Sequence, residues 1–318
     1  MGKNIKNSEK ARIFITGAGG FVGRNLTEYL KQQGNYELFC PYHRDLELLD
    51  PAKVEEYVIS HKIDVIVHSA NRGGSRKEGY NSIGSDIFYK NVRMFFNLAR
   101  CLKHVKKMIH LGSGAEFDRR NYTPKMTEDF FDTFVPEDDY GFSKYVCNKF
   151  IMETKKPIVN LRLFANFGKY EDYEFRFISN SILKNLLGLP ITIRQNVNFE
   201  FLYVNDLVRI IEHFINNDAK YKAYNIATGK PVDLVSIADK INEISKNPTE
   251  VIVCNPGLNN EYTADNTRLM EELKDFKFTP IEKSIQQLYE WYKDNLNSLD
   301  VDSVIKDKYI NACRVRKE

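Results

Sequence analysis

The chain has 318 residues, of which 42% are hydrophobic, enough for one large domain or two smaller ones. The formal net charge is +3, and acidic and basic residues are intermixed without a long lysine or arginine block. This distribution excludes the charge pattern typical of nucleic-acid-binding proteins, so we predict no nucleic-acid partner.

The cysteines and the first residues indicate a compartment. Five widely spaced cysteines without a CxxC pair are typical of reduced thiols in a cytosolic protein. We predict no metal site. Residues 1–10 form a polar stretch without the apolar region of a signal peptide, so we expect a flexible tail. No apolar run is long enough to span a membrane. We therefore predict a cytoplasmic protein with no membrane partner.

Runs of β-branched and aromatic residues alternate with amphipathic segments along most of the chain. The predicted strands are 11–17, 36–42, 63–70, 107–113, 157–164, 199–204 and 222–228. The predicted helices are 21–34, 51–62, 86–105, 140–154, 232–245 and 281–296. Strands that alternate with helices form parallel sheets covered on both faces, so the pattern predicts a Rossmann-like, doubly wound α/β fold.

A glycine-rich turn, "TGAGGFVG" (16–23), connects the first predicted strand to the first predicted helix. Gly17, Gly20 and Gly23 let the backbone approach a pyrophosphate closely, and the helix N-terminus then presents free N–H groups. Glycine turns are common, but a strand before and a helix after are what a dinucleotide site requires. We predict that these glycines, with Phe21 and Val22, bind a dinucleotide.

The residues after the second predicted strand bear on the choice between NADP(H) and NAD(H). An acidic residue there favours NAD, and a basic residue favours the 2′-phosphate of NADP. Arg44 is the natural partner for that phosphate, since a guanidinium matches phosphate oxygens bidentately. The sequence thus favours NADP(H), while Asp45 at the next position keeps NAD(H) possible.

Tyr140 and Lys144, in "YGFSK", are four residues apart at the start of a predicted helix and therefore share one face. A free tyrosine has a pKa near ~10, and a neighbouring ammonium stabilises its phenolate. The pair can exchange a proton with a carbonyl or hydroxyl oxygen while hydride moves at the adjacent carbon. Ser113, between two glycines at the end of a predicted strand, is either part of an ordinary turn or a hydroxyl presented to a substrate.

Together these motifs resemble the extended short-chain dehydrogenases/reductases of the NAD(P)-dependent epimerase/dehydratase family. The matching pieces run in order from about residue 11 to 210: "TGAGGFVG", "VIVHSA", Asn91, Ser113, "YGFSK", "LRLFANFG" and "FLYVNDLV". Other stretches ("HRDLELLD", "SANRGG", "LGSGAEF") look most like GDP-L-fucose synthases and nucleotide-sugar 4-keto reductases.

The resemblance implies two domains. An NAD(P)-binding Rossmann domain would cover 11–166, with strands from about 199–228 returning to it. A smaller C-terminal α/β substrate-binding domain would comprise 167–198 and 229–318. A homodimer is also implied, through helices 86–105 and 140–154, although their apolar residues could equally face the sheet of their own subunit. Those residues are Phe95, Phe96, Leu98, Val146 and Phe150.

The resemblance also implies roles for single residues. Ser113 would orient the substrate oxygen, Tyr140 would be the general acid or base, and Lys144 would support Tyr140 and hold the nicotinamide ribose. Asp50 would approach adenine, or would simply cap the helix beginning at Pro51. Three residues at the end of the third predicted strand would line the cofactor: His68, Ser69 and Ala70. His68 could equally be a core histidine.

Two departures from the family pattern concern proton transfer. Two positions after the serine, fucose synthases carry a cysteine and dehydratases a glutamate, but this chain has Ala115. Glu116 is adjacent, but on a strand it would point to the opposite face unless a β-bulge redirected it, so it is a reserve candidate. A second acid/base of fucose synthases, a histidine, aligns near Arg176, which suits binding of a diphosphate or sugar oxygen instead.

A third departure concerns the substrate's diphosphate. Relatives often have an arginine before the "F-x-Y-V" stretch, and this chain has Phe199 there. Arg194 or Arg268 could supply the missing charge, and either could be an ordinary surface residue. We therefore predict a substrate site that includes arginines 176, 194 and 268.

Hydride transfer is the simplest chemistry that Ser113, Tyr140 and Lys144 support without further acid/base groups. The sequence thus predicts an NAD(P)-dependent reductase of the 4-keto group of a nucleotide sugar. Two alternatives stay open at this point. One is a nucleotide-sugar 4-epimerase (or, less simply, a dehydratase) with tightly bound NAD, and the other is a non-catalytic dinucleotide-binding scaffold.

Overall fold

The computed structural model describes residues 10–74 and 86–315. The predicted tail, residues 1–10, lies outside these residues except for Lys10. Across the two described ranges, every helix is too short or too polar to cross a membrane. The chain folds into a central parallel sheet flanked by helices, with a second hydrophobic core built mainly from its C-terminal half.

Twelve strands occur in the described residues. In chain order, β1–β12 are Ala11–Thr16, Tyr36–Phe39, Val65–His68, Lys107–Ser113, Ile158–Leu163, Ala165–Phe167, Ile191–Ile193, Asn198–Phe199, Phe201–Tyr203, Ala223–Ile226, Val232–Asp233 and Val251–Val253. Six of them form the central sheet in the order β10-β5-β4-β3-β1-β2, with every neighbouring pair parallel. Parallel pairing places all six carboxyl ends at one edge, where ligands bind in such sheets.

The described residues also contain eleven α-helices. In chain order, α1–α11 are Phe21–Gln33, Pro51–Ser60, Ile87–Arg100, Asp139–Glu153, Phe177–Leu186, Val204–Asn216, Leu234–Ser245, Thr267–Leu273, Ile281–Asn295, Asp302–Ile305 and Lys308–Asn311. Helices α1 and α6 cover one face of the sheet through a shared apolar cluster. Helices α2, α3 and α4 cover the other face. The sheet is therefore doubly wound, as predicted.

The second hydrophobic core is formed by α5, α7 and α9, with contributions from β7, α10 and α11. Phe21, the first residue of α1, packs against this core, whereas Val22 packs against the central-sheet core. The glycine-rich turn before α1 consequently lies where the two cores meet. Two cores are compatible with the predicted domains, whose boundaries remain a prediction.

Most predicted elements are confirmed within a few residues, but the prediction for residues 199–228 was partly wrong. The predicted strand 199–204 is split into β8 and β9, and β9 pairs with β6 instead of entering the central sheet. Only β10 returns to that sheet from the segment 199–228. Much of the segment is helix α6, which the sequence analysis missed, together with α5 and α8.

Candidate active site

The turn between β1 and α1 is shaped for close backbone approach. Gly17 has φ +67°, and a Cβ there would lie 2.8 Å from Ala70 Cα. A Cβ on Gly23 would overlap the carbonyl of Gly17, and that carbonyl accepts a hydrogen bond from the Gly20 amide at 3.0 Å. Larger residues at 17 and 23 would push the strand, turn and helix apart, so the glycines keep the turn tight.

The N-terminus of α1 lacks a side-chain cap among the described residues, since its N-cap is Gly20. Uncapped N–H groups at a helix start, together with the helix dipole, attract anions. Gly19 and Gly20 are exposed beside this helix end. The cradle and the open helix end therefore fit a pyrophosphate, the part of a dinucleotide predicted to bind here.

Arg44 and Asp50, both in the segment after β2, differ in availability. The Arg44 side chain is 84% exposed, and its nearest acid in the described part of the chain is Asp45 at 3.7 Å. Asp50 accepts hydrogen bonds from Ala52 N (3.0 Å) and Lys53 N (3.2 Å), so it caps α2. Arg44 is free to meet a phosphate, whereas the Asp50 side chain already has a structural role.

His68, at the end of β3, is buried inside the protein. Its Nδ1 lies 2.8 Å from Thr16 Oγ1, and that oxygen accepts the amide hydrogens of Ser69 and Ala70 at 3.2 Å. Burial, helped by the nearby Lys144 ammonium, lowers the pKa of His68 to about 3. The imidazole is therefore neutral and holds the strand end, while the backbone of Ser69 and Ala70 lies beside Gly17 in the cradle.

Ser113 ends β4 and begins a 3₁₀ turn, Gly114–Phe117. Its Oγ accepts the Ala115 amide at 3.2 Å, and its own amide donates to Glu116 Oε1 at 3.0 Å. This reciprocal pair is a capping box, which fixes the backbone where the chain leaves the sheet. The serine hydroxyl is thus presented at the carboxyl edge of the sheet.

Glu116 does not occupy the position considered for a reserve acid/base. It is fully buried in the 3₁₀ turn and accepts hydrogen bonds from Arg162 Nε at 3.0 Å and from Asn160 Nδ2 at 3.1 Å. The prediction that Glu116 points to the opposite face of a strand was wrong, because the chain leaves the strand at Ser113 and Glu116 lies in the following 3₁₀ turn. Ala115 is also buried, so the turn places a methyl group two positions after the serine.

Tyr140 and Lys144 lie in the first two turns of α4, as predicted. The Lys144 ammonium donates to the Leu111 carbonyl at 2.8 Å and lies 5.8 Å from the centre of the Tyr140 ring. A Cβ on Gly141 would lie 2.8 Å from the Ala115 carbonyl, so the helix start packs closely on the turn after Ser113. The structure therefore brings the three predicted catalytic residues to the same end of the sheet.

Asn91 on α3 connects the loop after β3 to α4. Its side chain bonds both the amide (2.8 Å) and the carbonyl (3.0 Å) of Arg72 and donates to Ser143 Oγ at 3.2 Å. The same loop reaches the Tyr140 ring, since a Cβ on Gly74 would lie 2.5 Å from Tyr140 Cε2. The motif match at Asn91 was visible in the sequence, but this bridging role was not.

Aromatic residues from distant segments form a wall beside the serine turn. Tyr262 stacks on Tyr122 at 4.8 Å between ring centres and lies 5.0 Å from Phe164. The Tyr122 hydroxyl donates to the Gly114 carbonyl at 3.1 Å. A Cβ on Gly114 would overlap the Tyr262 hydroxyl, so this glycine accommodates the wall. No sequence pattern indicated that these residues meet.

The three arginines predicted to bind substrate lie in different settings. Arg176 precedes α5 and Arg194 follows β7, and both are exposed. Arg268, on α8, is already paired with Asp129 (2.5 Å) and Glu128 (3.8 Å). Of the three, Arg268 is the least available, because two carboxylates already balance its charge.

Residues 13–227 match the model of a known family, described as the NAD dependent epimerase/dehydratase family. This match confirms the resemblance read from the sequence motifs, and it spans the glycine turn, Ser113, Tyr140 and Lys144.

Curated relatives and a solved structure are similar to the chain at low identity. GDP-L-colitose synthase from Yersinia pseudotuberculosis is 26% identical over 230 residues, covering 66% of this chain and 73% of that protein. GDP-L-fucose synthase from Escherichia coli (strain K12) is 21% identical over 315 residues, covering 90% and 98%. The structure of a GDP-mannoheptose C4 reductase from Campylobacter jejuni with NADP bound has a TM-score of 0.74 at 20% identity, covering 89% and 98%. This structural likeness confirms the Rossmann-like fold.

Proposed function

Because the chain belongs to the NAD dependent epimerase/dehydratase family, we propose that it is an NADP(H)-dependent reductase of the 4-keto group of a nucleotide-activated deoxysugar. The observation that carries the proposal is Ala115, which is 1% exposed, at the position where epimerising and dehydrating members of the family carry a proton-transfer group. Glu116, the adjacent carboxylate, is engaged with Arg162. Hydride transfer needs neither group, so the remaining residues suffice for it.

The cofactor site fits a nicotinamide dinucleotide, which supplies the hydride when bound. The backbone of Gly17, Gly20 and Gly23 would hold the pyrophosphate at the start of α1. Arg44 would bind the 2′-phosphate, since its guanidinium is exposed and only loosely paired. The NADP bound to the Campylobacter jejuni reductase agrees with this choice.

The catalytic groups would act on the substrate oxygen. Ser113 would donate its hydroxyl hydrogen to the carbonyl oxygen, because one lone pair of its oxygen already accepts the Ala115 amide. Tyr140 would protonate the alkoxide as it develops, and the nearby Lys144 ammonium would stabilise the resulting phenolate. These roles produce an alcohol at the former 4-keto carbon.

Curated relatives support the substrate class. The names GDP-L-colitose synthase and GDP-L-fucose synthase both denote enzymes that make GDP-activated sugars. We therefore assign a nucleotide sugar to the surface beside Ser113, and the exposed Arg176 and Arg194 are candidate partners of its diphosphate. Cytoplasmic location stays a prediction from the sequence.

The homodimer also stays a prediction, and burial bears on which residues of α3 and α4 a second subunit could contact. Phe95 and Leu98 are fully buried in the chain's own core and are not available to a second subunit. Exposed apolar side chains on α3 and α4 are Tyr89, Phe142 and Met152. A dimer through these helices would use that outer surface.

Turnover tests the proposal directly. Purified protein should oxidise NADPH when given a GDP-4-keto-6-deoxysugar, and Tyr140→Phe should lower kcat by about 10²- to 10⁴-fold. Formation of an epimer without net NADPH consumption would instead identify a 4-epimerase. Cofactor binding without turnover on GDP-, UDP- and dTDP-activated 4-keto sugars would favour a scaffold.

Cofactor preference has its own test. Arg44→Ala should raise KM for NADPH by roughly 10- to 100-fold and leave KM for NADH unchanged, because only NADPH carries the phosphate. Arg100→Ala, which removes an exposed arginine on α3, is the matched control. Equal effects of Arg44→Ala on both cofactors would contradict the role given to Arg44.

A further inference from the structure

We propose that the buried Glu116–Arg162 ion pair is a positioning element that holds Ser113 in its reactive orientation. This inference rests on the proposed reductase function for its kinetic consequences, but its structural part stands alone. In the described residues, Glu116 accepts a hydrogen bond from the Ser113 amide, and Arg162 holds Glu116, so both residues act through Ser113.

The contact between Glu116 and Ser113 is direct. Glu116 Oε1 accepts the Ser113 amide at 3.0 Å, which fixes the backbone at the last residue of β4. The Ser113 oxygen in turn accepts the Ala115 amide at 3.2 Å, which fixes the rotation of the side chain. With its amide and one lone pair engaged, Ser113 retains its hydroxyl hydrogen for the substrate oxygen.

The carboxylate is itself held from the opposite side. Glu116 Oε2 accepts hydrogen bonds from Arg162 Nε at 3.0 Å and from Asn160 Nδ2 at 3.1 Å. Both side chains of the ion pair are 0% exposed. A buried carboxylate without these partners would be too costly to retain, so the partners determine where the carboxylate lies.

Arg162 is anchored to the central sheet. It lies on β5, its Nη1 donates to Asn225 Oδ1 on β10 at 2.8 Å, and its guanidinium lies 4.3 Å from the centre of the Phe117 ring. The hydrogen bonds therefore run from β10 through β5 to the end of β4. Because these three strands belong to the central sheet, the hydrogen bonds restrain the position of Ser113 relative to that sheet.

Gly112 provides the space that the carboxylate needs. A Cβ at this position would overlap both Glu116 Oε1 and Asn160 Oδ1. The glycine before the serine is thus explained by the buried carboxylate and not by room for a ligand. Gly112, Glu116 and Arg162 therefore act together to fix the position of the Ser113 hydroxyl.

Kinetics of Glu116→Gln test the inference. The new amide would keep an acceptor for the Ser113 amide but would turn a donor towards Arg162 Nε, so the turn must shift. A shift of roughly 1 Å should lower kcat by about 10- to 100-fold, while the dissociation constant for NADPH stays unchanged. In a Ser113→Ala background the same substitution should lower kcat no further, because its effect passes through the serine.

A matched control removes a different buried charge. Lys184→Met breaks the Lys184–Asp307 pair of the second core, which has no contact with Ser113 among the described residues, and kcat should be unchanged. If Glu116→Gln does not fold, Glu116→Gln/Arg162→Gln, which removes both charges, is measured in its place. An undiminished kcat, or equal losses with and without Ser113, would overturn the inference.

Crystal structures separate this inference from the proposed function. Wild-type protein and the variant should differ in the position of Ser113 Oγ even if no 4-keto sugar is turned over. If the wild-type protein did not oxidise NADPH, the proposed reductase function would be contradicted. The positioning role would then be decided by the comparison of the two crystal structures alone. An unmoved Ser113 in the variant would contradict the positioning role whatever the activity.

Discussion

The two hydrophobic cores accommodate buried charge differently. Beside the central sheet, Glu116 is matched by Arg162, and both side chains are 0% exposed. In the second core, Glu171 is 5% exposed and receives a hydrogen bond from the Ser179 hydroxyl, while its Oε2 has no partner in the described residues. The first arrangement preserves a charge near the candidate active site, and the second disfavours one.

The same contrast extends to the lysine of the second core. Lys184 pairs with Asp307 at 2.7 Å, but the Asp307 side chain is 26% exposed and keeps contact with water. The central-sheet pair has no such contact. The cost of breaking a buried pair depends on whether the remaining charge can be solvated, so the three sites should respond differently to substitution.

The largest effect is expected at Arg162. Arg162→Met leaves Glu116 buried without a cation, so the free energy of unfolding should fall by about 3–5 kcal/mol. Urea unfolding followed by far-UV circular dichroism at pH 7 measures this loss. A loss below about 1 kcal/mol, the range of exposed pairs, would mean that the carboxylate finds another partner or water.

The sequence analysis did not predict how buried charges are paired in the two cores, although it did predict most strands of the central sheet. Strands β1, β3, β4 and β5 were predicted because buried parallel strands are continuous apolar runs. The run "FEFLYV" has the same appearance, but β9 within it pairs with β6, and α6 follows at once. Pairing partners are tertiary facts that such a local run does not contain.

In the candidate site, too, residues in local motifs were predicted, and residues brought together by tertiary contacts were not. Ser113, Tyr140 and Lys144 could be singled out because they belong to local motifs at the ends of predicted elements. Glu116 was misplaced because strand alternation was extended into a 3₁₀ turn. Tyr262 was missed because its approach to Gly114 joins residues about 150 positions apart, a separation that periodicity does not address.

Glu171 should make stability depend on pH. Burial raises the pKa of Glu171 to about 8, so between its ordinary pKa and 8 the folded protein binds a proton that the unfolded chain has lost. This contribution to stability is fully present at acidic pH, falls as pH rises through that interval, and levels off above about 8. Glu171→Gln should remove the dependence.

Unfolding free energies at pH 5, 7 and 9 test this expectation. At pH 9 the Glu171→Gln variant should exceed the wild type by on the order of 2 kcal/mol, and the two should converge near pH 5. Ser179→Ala is the matched control: it removes the hydroxyl donor but keeps the carboxyl and hence the pH dependence. Parallel profiles of wild type and Glu171→Gln would show that another group titrates.

Of the three sites, the smallest effect is expected at Lys184, because its partner Asp307 keeps contact with water. Burial lowers the pKa of Lys184, which shows that desolvation offsets part of what Asp307 contributes. Lys184→Met leaves Asp307 bonded to Thr192 at 2.7 Å and partly solvated, so unfolding should become easier by only about 1 kcal/mol. Lys240→Met, in the more exposed Lys240–Glu282 pair, is the control and should change stability by less than about 0.5 kcal/mol. If Lys184→Met instead cost as much as Arg162→Met, the exposure of the remaining carboxylate would not be what separates the two cores.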